Sequence, residues 1–492
     1  MIEKTENQNS LLSLKELVSA VCGVFVGFAK SEKEFYFSSV CTDSRNVVKG
    51  SLFVPLIGQN QDGHKYIPQS IEKGATVVFV KKSVYDSNSE KYMNLAAEYT
   101  NVAFIVVANT LYALQDAAMA YVAKFPNLIK VAITGSSGKT TTKEMVVAVL
   151  KQKYNVVYTQ GNFNSETGLP LSVFNIRKEH EAGVFEMGMN RKNEIAEIAA
   201  VLKPEYALVT NIGTAHIGIL GSRKNIAIEK RKIFKYISES GIAFVPSDDE
   251  FSDFLTENVK GKVVFYGENV PESISGASFI CDKGLNGTEF SLDGCKINLK
   301  TPGLYNYRNA LGACAIGKAL KVPVEKIKYA LENIDSVFGR METVPLILKN
   351  GVKVILLKDC YNANPDSMKS VLEFCASLKN VDNKVYVLGD MLELGEKSAQ
   401  EHKNAVVRAI ETNPAFLILI GKEMKSGYQV ALNCGFKNVK YIPACNEESI
   451  EEAGLEVLNH AKENGLVLIK ASRGISLERI IKVIAKTESL NE

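Results

Sequence analysis

The C-terminal third of the chain alternates between short apolar segments and amphipathic, helix-like segments. From Phe338 onward the apolar runs are KVILLKD, KVYVLGD, FLILIGK, VKYIP and LVLIKAS, and they alternate with segments such as DSMKSVLEFCASL and SAQEHKNAVVRAI. Such alternation is typical of a parallel sheet, because parallel strands need crossover connections that place helices on both faces. The pattern therefore predicts an α/β, Rossmann-like arrangement for this part of the chain.

The rest of the chain divides into two further blocks. At roughly 150 residues per domain, 492 residues suggest about three domains. We expect a small α/β N-terminal domain, a central P-loop-type ATPase domain with a mostly parallel sheet, and a C-terminal Rossmann-like domain. Their predicted bounds are 1–109, 110–336 and 337–492.

The overall charge and the apolar segments exclude several classes of protein. The net charge is +3, which offers no electrostatic basis for binding DNA or RNA. The apolar run from Leu17 to Phe28 is too short to span a bilayer, and we interpret it as a short helix followed by a strand. None of the nine cysteines form a C-x-x-C pair, so no metal cluster is implied. We therefore expect a cytoplasmic protein with free thiols.

A glycine-containing loop follows the apolar strand candidate LIKVAIT and precedes the helix-like segment TTKEMVVAVLKQ. It reads Thr134-Gly135-Ser136-Ser137-Gly138-Lys139-Thr140-Thr141. Such a loop at a helix N-terminus directs several N–H donors at one point, which suits the phosphates of ATP. We expect Lys139 to lie along the β- and γ-phosphates and the Thr140 hydroxyl to bind Mg²⁺.

The loop departs from the common G-x-x-x-x-G-K-[ST] spacing. Ile133 occupies the position of the usual first glycine, and Gly135 is the first glycine here. The competing interpretation is an ordinary turn between a strand and a helix. The flanking apolar strand and helix favour the phosphate-binding interpretation.

Polar residues at neighbouring strand ends form further candidates. Glu186 is a carboxylate in the apolar run AGVFEMG and needs a partner such as Mg²⁺, and His216 follows the strand candidate EYALVTNIG. Asn162 and Asn164 follow NVVYTQ and either reach substrate or form a turn. From the residues alone, a structural role for His216 and a solvated helix face for Lys230 are the simpler interpretations.

Together these segments resemble the Mur ligase family of peptidoglycan synthesis over essentially the whole chain. The resemblance rests first on TGSSGKTT, Glu186, the NIGTAH segment, Lys230 and the NYRN segment at 306–309. Further matching segments are TDSR, DGHKYI, FGRMETV, DCYNANPDSM, LGDMLELG with His402 after it, and KASRG. The second group is most similar to the branch of the family that adds a D-alanyl-D-alanine dipeptide.

The resemblance implies an ATP- and Mg²⁺-dependent amide ligase of cell wall biogenesis. Its substrates would be a UDP-N-acetylmuramoyl tripeptide and D-alanyl-D-alanine, joined through an acyl phosphate, and a monomer is expected. Closure of the C-terminal domain would exclude water from that intermediate.

The resemblance also implies roles for individual residues. Mg²⁺ would be held by Thr140, Glu186, His216 and a carbamylated Lys230. The nucleotide would contact Lys139, Asn309, Arg340 and Asp359. The peptide substrates would contact Thr42, Asp43, Ser44 and Arg45 on the UDP side, Asn162 and Asn164, and Asn362 and Asn364 with the LGDMLELG loop on the dipeptide side.

Three positions depart from the family pattern, and three other functions compete. Tyr305, Lys358 and Ala471 stand where the family usually has His, Asp and Gly. We expect the first two to change local contacts rather than the reaction. The competing functions are the related ligase that adds the third stem residue, whose D-N-P-[RA] motif is absent here, a P-loop ATPase without ligase activity, and a UDP-sugar sensor.

Overall fold

The computed structural model describes residues 10–27, 35–58, 61–268, 270–271, 275–335 and 338–486. Three mainly parallel sheets follow one another along the chain, and a small antiparallel sheet lies between the second and the third. This confirms the predicted α/β class. The boundary expected between residues 336 and 337 lies outside the described residues.

The N-terminal region is built on a five-stranded sheet. Its strand order is β1-β5-β4-β3-β2, and only β1 is antiparallel to its neighbour. The strands are β1 (Val24–Val26), β2 (Ser39–Cys41), β3 (Ser51–Phe53), β4 (Ala75–Lys81) and β5 (Ala103–Val107). The helices are α1 (Leu14–Ala20), α2 (Ile67–Glu72), α3 (Lys82–Asp86) and α4 (Ser89–Glu98). The run from Leu17 thus forms a helix and a strand, as predicted.

Helix α5 (Thr110–Val122) links this region to the next and packs against helices of both. The central sheet that follows is six-stranded and entirely parallel, in the order β11-β10-β9-β6-β8-β7. Its strands are β6 (Ile129–Thr134), β7 (Val156–Tyr158), β8 (Ala182–Glu186), β9 (Tyr206–Val209), β10 (Ile242–Pro246) and β11 (Lys262–Tyr266). Because β6 lies between β8 and β9, the loops after these three strands meet at one edge.

Helices cover both faces of the central sheet, and a separate small sheet packs against one of these helices. The helices are α6 (Lys139–Leu150), α7 (Gly168–Val173), α8 (Glu194–Leu202), α9 (Ile217–Leu220), α10 (Arg223–Arg231), α11 (Ser252–Thr256), α12 (Leu304–Ala319) and α13 (Val324–Glu332). The antiparallel strands are β12 (Ala277–Asp282), β13 (Thr288–Leu292) and β14 (Cys295–Leu299). Phe290 of β13 packs on Tyr307 of α12 with ring centroids 5.2 Å apart, so the small sheet covers this helix.

The C-terminal region contains a six-stranded sheet in the order β15-β16-β20-β17-β18-β19. Its strands are β15 (Glu342–Ile347), β16 (Lys353–Lys358), β17 (Lys384–Gly389), β18 (Phe416–Ile420), β19 (Val439–Ile442) and β20 (Gly465–Lys470). Its helices are α14 (Pro365–Ser377), α15 (Ser398–Glu411), α16 (Lys425–Asn433), α17 (Glu447–His460) and α18 (Ile480–Ile484). All strand pairs are parallel except β15 with β16.

Two elements of this region did not emerge from the sequence pattern. Strand β15 contains Pro345 and lies at the sheet edge, where a missing N–H donor is tolerated. Helix α16 contains Gly427, and a Cβ there would lie 2.5 Å from Cγ2 of Val406. A glycine at the packing position of a helix weakens its apolar period, so FLILIGK and VKYIP appeared to follow each other directly.

Candidate active site

The predicted phosphate loop connects β6 to α6. Gly138 caps the helix in a left-handed conformation, with φ of +79°. Gly135 has φ of +155°, and a Cβ there would lie 1.7 Å from Oγ1 of Thr210. Only glycine fits at such a close approach. The loop therefore has the conformation that an anion cradle at a helix N-terminus requires.

The loop after β9 holds the phosphate loop in place. Asn211 accepts the N–H of Ser137 on its side-chain oxygen at 3.0 Å, and Oγ1 of Thr210 donates to the Ser137 carbonyl at 2.5 Å. Ser136 accepts the N–H of Gly213 at 2.9 Å. Two neighbouring strand ends are thereby fastened together, which fixes the donors of the loop before a ligand arrives.

Two lysines converge on one carbonyl of this loop. Nζ of Lys139 donates to the Gly135 carbonyl at 2.9 Å, and Nζ of Lys230 donates to the same oxygen at 2.8 Å. Burial is the main cause that holds the pKa of Lys230 well below its usual range, and repulsion from Lys139 lowers it further. Burial also lowers the pKa of Lys139. Because Lys230 is only 1% exposed, its interpretation as part of a solvated helix face is wrong.

Glu186 ends β8 beside these lysines and is 1% exposed. Its Oε1 accepts from the Asn164 amide at 2.6 Å, while its Oε2 has no hydrogen-bond partner among the described residues. A buried carboxylate oxygen without a donor is costly unless a cation or a proton satisfies it. Glu186 is therefore suited to bind a cation.

His216 follows β9 and is mostly buried. Burial is the main cause that lowers its pKa, so the ring is neutral and can act as a ligand. Its Nδ1 lies 2.8 Å from Oε2 of Glu393. The angle of this contact lies outside hydrogen-bond geometry, so Nδ1 has no aligned partner within the described part of the chain.

The donor set fits Mg²⁺. This ion keeps several waters and is usually held by one or two carboxylates together with substrate phosphates. Glu186 supplies one carboxylate with a free oxygen, and the Thr140 hydroxyl lies at the start of α6. The described residues include no group of three or more His, Cys, Asp or Glu side chains arranged as a metal site, so phosphates and waters would complete the coordination.

The C-terminal region supplies the other wall of the site. Nη2 of Arg340 donates to Oγ1 of Thr140 at 3.4 Å, and the guanidinium lies 4.5 Å from the ring centroid of Tyr361. Asp359 accepts the N–H of Met341 at 3.2 Å and an ion-paired hydrogen bond from the buried Lys470. Arg340 thus contacts the phosphate loop, whereas Asp359 is held by hydrogen bonds within the C-terminal region.

A cavity of about 470 Å³ lies beside the phosphate loop, between the central and C-terminal regions. Its lining residues do not include Lys139 or the residues predicted to bind Mg²⁺, which are Thr140, Glu186, His216 and Lys230. The lining includes Gly138, Thr141, Asn211, Asp249, Asn306, Asn309, Arg340, Asp359 and Asp366. The predicted nucleotide residues Asn309, Arg340 and Asp359 therefore lie together around one space. Tyr305 also lines it, with a buried hydroxyl that has no hydrogen-bond partner among the described residues and a pKa raised well above its usual range by burial.

Of the four asparagines predicted to contact substrate, two contact other residues of the site and two are exposed and bonded to near neighbours in the chain. Asn164 contacts Glu186, as described above. Nδ2 of Asn364 donates to the Ser137 hydroxyl at 3.2 Å, and its Oδ1 caps helix α14. Asn362 is exposed, and its side chain accepts the N–H of Ala363. The exposed Asn162 accepts the N–H of Asn164 on its carbonyl at 2.7 Å.

The TDSR segment lies elsewhere, after β2 in the N-terminal region, and none of its four residues lines the cavity. Asp43 caps a 3-10 helix at Ser44–Asn46, and hydrogen bonds from Arg45 lower the pKa of Asp43 to about 2. The buried Ser44 donates to Gln69 at 3.0 Å, whereas Thr42 is half-buried. This segment is therefore a separate part of any substrate site.

Several residues of the site were not singled out from the sequence. Asp366 accepts both the N–H and the hydroxyl of Thr214, at 2.5 and 2.8 Å. Asp249 accepts the N–H of Ile212 at 2.6 Å. Lys470 begins the quoted segment KASRG, but no role was predicted for it, and the fold buries it against Asp359. Asp366 lies inside the quoted segment DCYNANPDSM, but only its fold neighbours show what it contacts.

The structure shows the surroundings of two positions that depart from the family pattern. Nζ of Lys358 forms an ion pair with Glu342 at 2.6 Å across the β15–β16 register. Ala471 is fully buried, and a Cβ on Gly389 would lie 2.8 Å from the Cβ of Ala471. Lys358 thus changes a strand pair beside Asp359, as expected.

Comparison with protein families places three consecutive matches along the chain. Residues 36–122 match the model described as Mur ligase family, catalytic domain. Residues 133–317 match the Mur ligase middle domain, and residues 339–473 match the Mur ligase, glutamate ligase domain. The three matches follow the order of the three sheets.

Full-length relatives and solved structures agree with this assignment. The chain is 40% identical to UDP-N-acetylmuramoyl-tripeptide–D-alanyl-D-alanine ligase of Treponema pallidum over 97% of its length and 99% of that protein. It is 33% identical to the protein of the same name from Bacillus subtilis, with 90% and 92% covered. A crystal structure of MurF from Acinetobacter baumannii superposes with a TM-score of 0.80 at 26% identity, with 96% and 98% covered. MurF ligase from Thermotoga maritima in complex with ADP gives a TM-score of 0.73 at 25% identity, with 90% and 96% covered. The chain therefore belongs to the Mur ligase family.

Proposed function

We propose that this protein is the ATP-dependent ligase that joins D-alanyl-D-alanine to a UDP-N-acetylmuramoyl tripeptide in peptidoglycan synthesis. The observation that carries the proposal is the phosphate loop, which opens into a cavity walled by the central and C-terminal regions. The full-length relatives from Treponema pallidum and Bacillus subtilis bear the name of this ligase. A switch ATPase needs no second wall of this kind, and a non-catalytic sensor needs no buried lysine pair at a phosphate loop.

The reaction must activate a carboxylate, because forming an amide in water is unfavourable. The terminal carboxylate of the tripeptide displaces ADP from the γ-phosphorus of ATP and becomes an acyl phosphate. The amine of D-alanyl-D-alanine attacks the acyl carbon, and the tetrahedral intermediate collapses to the amide and inorganic phosphate. Both steps depend mainly on positioning and charge neutralisation.

The phosphate loop is the part of the chain that binds and neutralises the transferred group. The proposed phosphate contacts are Thr134, Gly135, Ser136, Ser137, Gly138, Lys139, Thr140 and Thr141. Asn309, Arg340 and Asp359 are proposed to hold the rest of the nucleotide, because they line the same cavity. Arg340 also adds positive charge beside Thr140.

Lys230 is proposed to be carbamylated. An amine whose pKa is held low is neutral and nucleophilic, so it can add to CO2 and release a proton. The product is an anion, which turns the repulsion between Lys230 and Lys139 into attraction. With Thr140, Glu186 and His216, the carbamate would hold Mg²⁺, which when bound supplies charge neutralisation to the phosphoryl group.

The substrate contacts and the domain bounds are also part of the proposal. Thr42, Asp43, Ser44 and Arg45 would hold the UDP moiety, and Asn162, Asn164, Asn362 and Asn364 would lie near the peptide ends. The proposed domains are 1–109, 110–336 and 337–492. None of the helices that the structure describes has the length and apolar character needed to cross a membrane. A cytoplasmic location and a monomeric state stay predictions.

The test is phosphate release from ATP with Mg²⁺, with the two substrates added separately and then together. We expect release only with both substrates, and a mass gain on the nucleotide substrate that matches one D-alanyl-D-alanine. Release that needs neither substrate indicates an ATPase without ligase activity. A product formed only with a single amino acid in place of the dipeptide indicates another Mur-type ligase.

A further inference from the structure

Two residues with left-handed backbones face each other across the junction between the central and C-terminal regions. His216 has φ of +61°, and Glu393 in the loop after β17 has φ of +65°. Such conformations are uncommon for residues other than glycine and are energetically unfavourable. Nδ1 of the histidine lies 2.8 Å from Oε2 of the glutamate. Two unfavourable backbones thus bring these side chains together.

The backbones on either side also meet closely. A Cβ on Gly218 would lie 2.7 Å from the Glu393 carbonyl oxygen and 2.8 Å from the Gly395 nitrogen. Only glycine at position 218 therefore allows the loop that carries Glu393 to approach the start of α9. The His216–Glu393 contact is thus part of an interface in which the two backbones also pack closely, and it does not depend on the two side chains alone.

Within its own domain, the loop that presents Glu393 is firmly held. Nδ1 of the fully buried His402 lies 2.7 Å from the Ser398 carbonyl, and its Nε2 accepts the N–H of Met391 at 2.9 Å. Leu392 donates its N–H to the Ser472 hydroxyl at 3.0 Å. Because the loop is fixed before and after Glu393, the position of its carboxylate follows the position of the whole C-terminal domain.

We propose that Glu393 is a positioning residue that orients His216 for Mg²⁺ when the C-terminal domain closes. A ligand histidine commonly donates its second N–H to a carboxylate, which fixes the ring and its tautomer. The Glu393 side chain is 52% exposed, so it has room to turn into line with Nδ1. Assembly of the metal site is thereby made conditional on closure. This inference rests on the proposed function, because it assigns His216 to Mg²⁺.

A purely structural contact at this junction predicts different behaviour from a positioning role. If Glu393 acts through His216, its loss changes the response to Mg²⁺ and has no further effect once His216 is absent. If the contact only joins two domains, its loss weakens ADP binding by the same factor at every Mg²⁺ concentration, although the two substitutions are still coupled because they remove one contact. The Mg²⁺ dependence therefore separates the two roles, and the double-mutant cycle shows that Glu393 acts through His216.

The experiment measures the affinity for ADP by calorimetry at a series of Mg²⁺ concentrations, and product formation in parallel. The variants are Glu393→Ala, Glu393→Gln, His216→Ala and the Glu393→Ala/His216→Ala double variant. We expect Glu393→Ala to raise the half-saturating Mg²⁺ concentration roughly 10- to 100-fold. Glu393→Gln retains an oxygen acceptor and should recover part of the loss. The double variant should match His216→Ala.

The matched control is Glu396→Ala, which removes the same charge three residues along the loop. Glu396 is exposed and has no ion pair among the described residues, so its response to Mg²⁺ should equal that of the unmodified protein. An unchanged Mg²⁺ response in Glu393→Ala, or multiplied effects in the double variant, overturns the inference. If the unmodified protein forms no product at all, the proposed function fails, while the binding cycle still decides the coupling.

Discussion

Lys139 and Lys230 both donate a hydrogen bond to the Gly135 carbonyl. Burial lowers the pKa of both amines. Their ammonium forms repel each other, so both lysines can be protonated together only where anions balance them. Glu186 supplies one negative charge close by, since its charge acts on the pKa of both lysines. A bound triphosphate supplies several more. The lysine pair therefore favours the ligand-bound state.

Lys139→Ala should lower kcat/KM by an amount equivalent to roughly 3–4 kcal/mol, the range for a lost electrostatic donor in an active site. The reason is that no other side chain of the loop carries a positive charge. Phosphate release under single-turnover conditions measures it. Lys151→Ala, at the exposed end of the same helix, should leave the rate unchanged. A Lys139→Ala variant within tenfold of the unmodified protein contradicts the assignment.

Lys230→Ala should be nearly inactive and should recover part of its activity with added short carboxylic acids. The added carboxylate would occupy the space of the missing carbamate and restore an anion beside Lys139. The measurement is product formation against acid concentration. Lys224 is exposed on the same helix, so Lys224→Ala serves as the control and should show neither loss nor rescue. Full activity of Lys230→Ala without acid excludes the carbamate.

At the scale of elements, the connection between β6 and α6 depends on the close approach of Gly135 to the side chain of Thr210. Gly135→Ala should abolish ADP binding, because its Cβ would lie 1.7 Å from Oγ1 of Thr210. Calorimetric titration of ADP measures this loss. The Gly135→Ala/Thr210→Ala variant should recover part of the affinity by removing the atom that is struck. If Gly135→Ala alone binds ADP normally, the loop does not need its present conformation.

A control distinguishes the steric contact from backbone strain. Gly351 has φ of +87°, but nothing lies within 4 Å of a Cβ placed there. Gly351→Ala therefore introduces strain without a clash and should lower stability by about 1 kcal/mol while ADP binding is retained. Thermal unfolding measures the stability of both variants.

The sequence predicted those parts of the site whose residues are contiguous in the chain, and it did not predict contacts between distant residues. The strand, loop and helix around Lys139 are contiguous, so their pattern was sufficient. Lys230 was interpreted from its charged neighbours as a surface residue, although Ile226, Ala227 and Ile233 lie on the same helical face and are buried. That spacing was a usable signal. The contacts of Asp366 and Glu393 are made between residues distant in sequence, and only the fold shows them.

At the scale of the whole molecule, the C-terminal domain is docked onto the phosphate loop by contacts from separate segments. Asp366 reaches Thr214, Glu393 reaches His216, Asn364 reaches Ser137 and Arg340 reaches Thr140. These contacts join the same edge of the central sheet. Docking is therefore distributed over several polar pairs, each of moderate strength, which under the proposed function suits a domain that opens in every cycle.

Asp366→Ala should shift this protein toward an open arrangement. The substitution removes two hydrogen bonds to a charged acceptor, and each such bond contributes about 1.5–3 kcal/mol. Small-angle X-ray scattering with ADP should show a larger radius of gyration, and ADP should dissociate faster. Glu373→Ala on the same helix is the control, because Glu373 pairs only with Lys369 and Arg408 of its own domain among the described residues. An unchanged scattering profile in Asp366→Ala excludes this pair as a determinant of closure.

The cavity beside the phosphate loop has one wall on each of two domains, and this arrangement bears on the turnover rate as well as on binding. Under the proposed function, a nucleotide bound between these walls contacts Arg340 and Asp359 on one domain and the phosphate loop on the other. Movement of the C-terminal wall then belongs to every turnover, and its rate contributes to kcat together with the chemical steps.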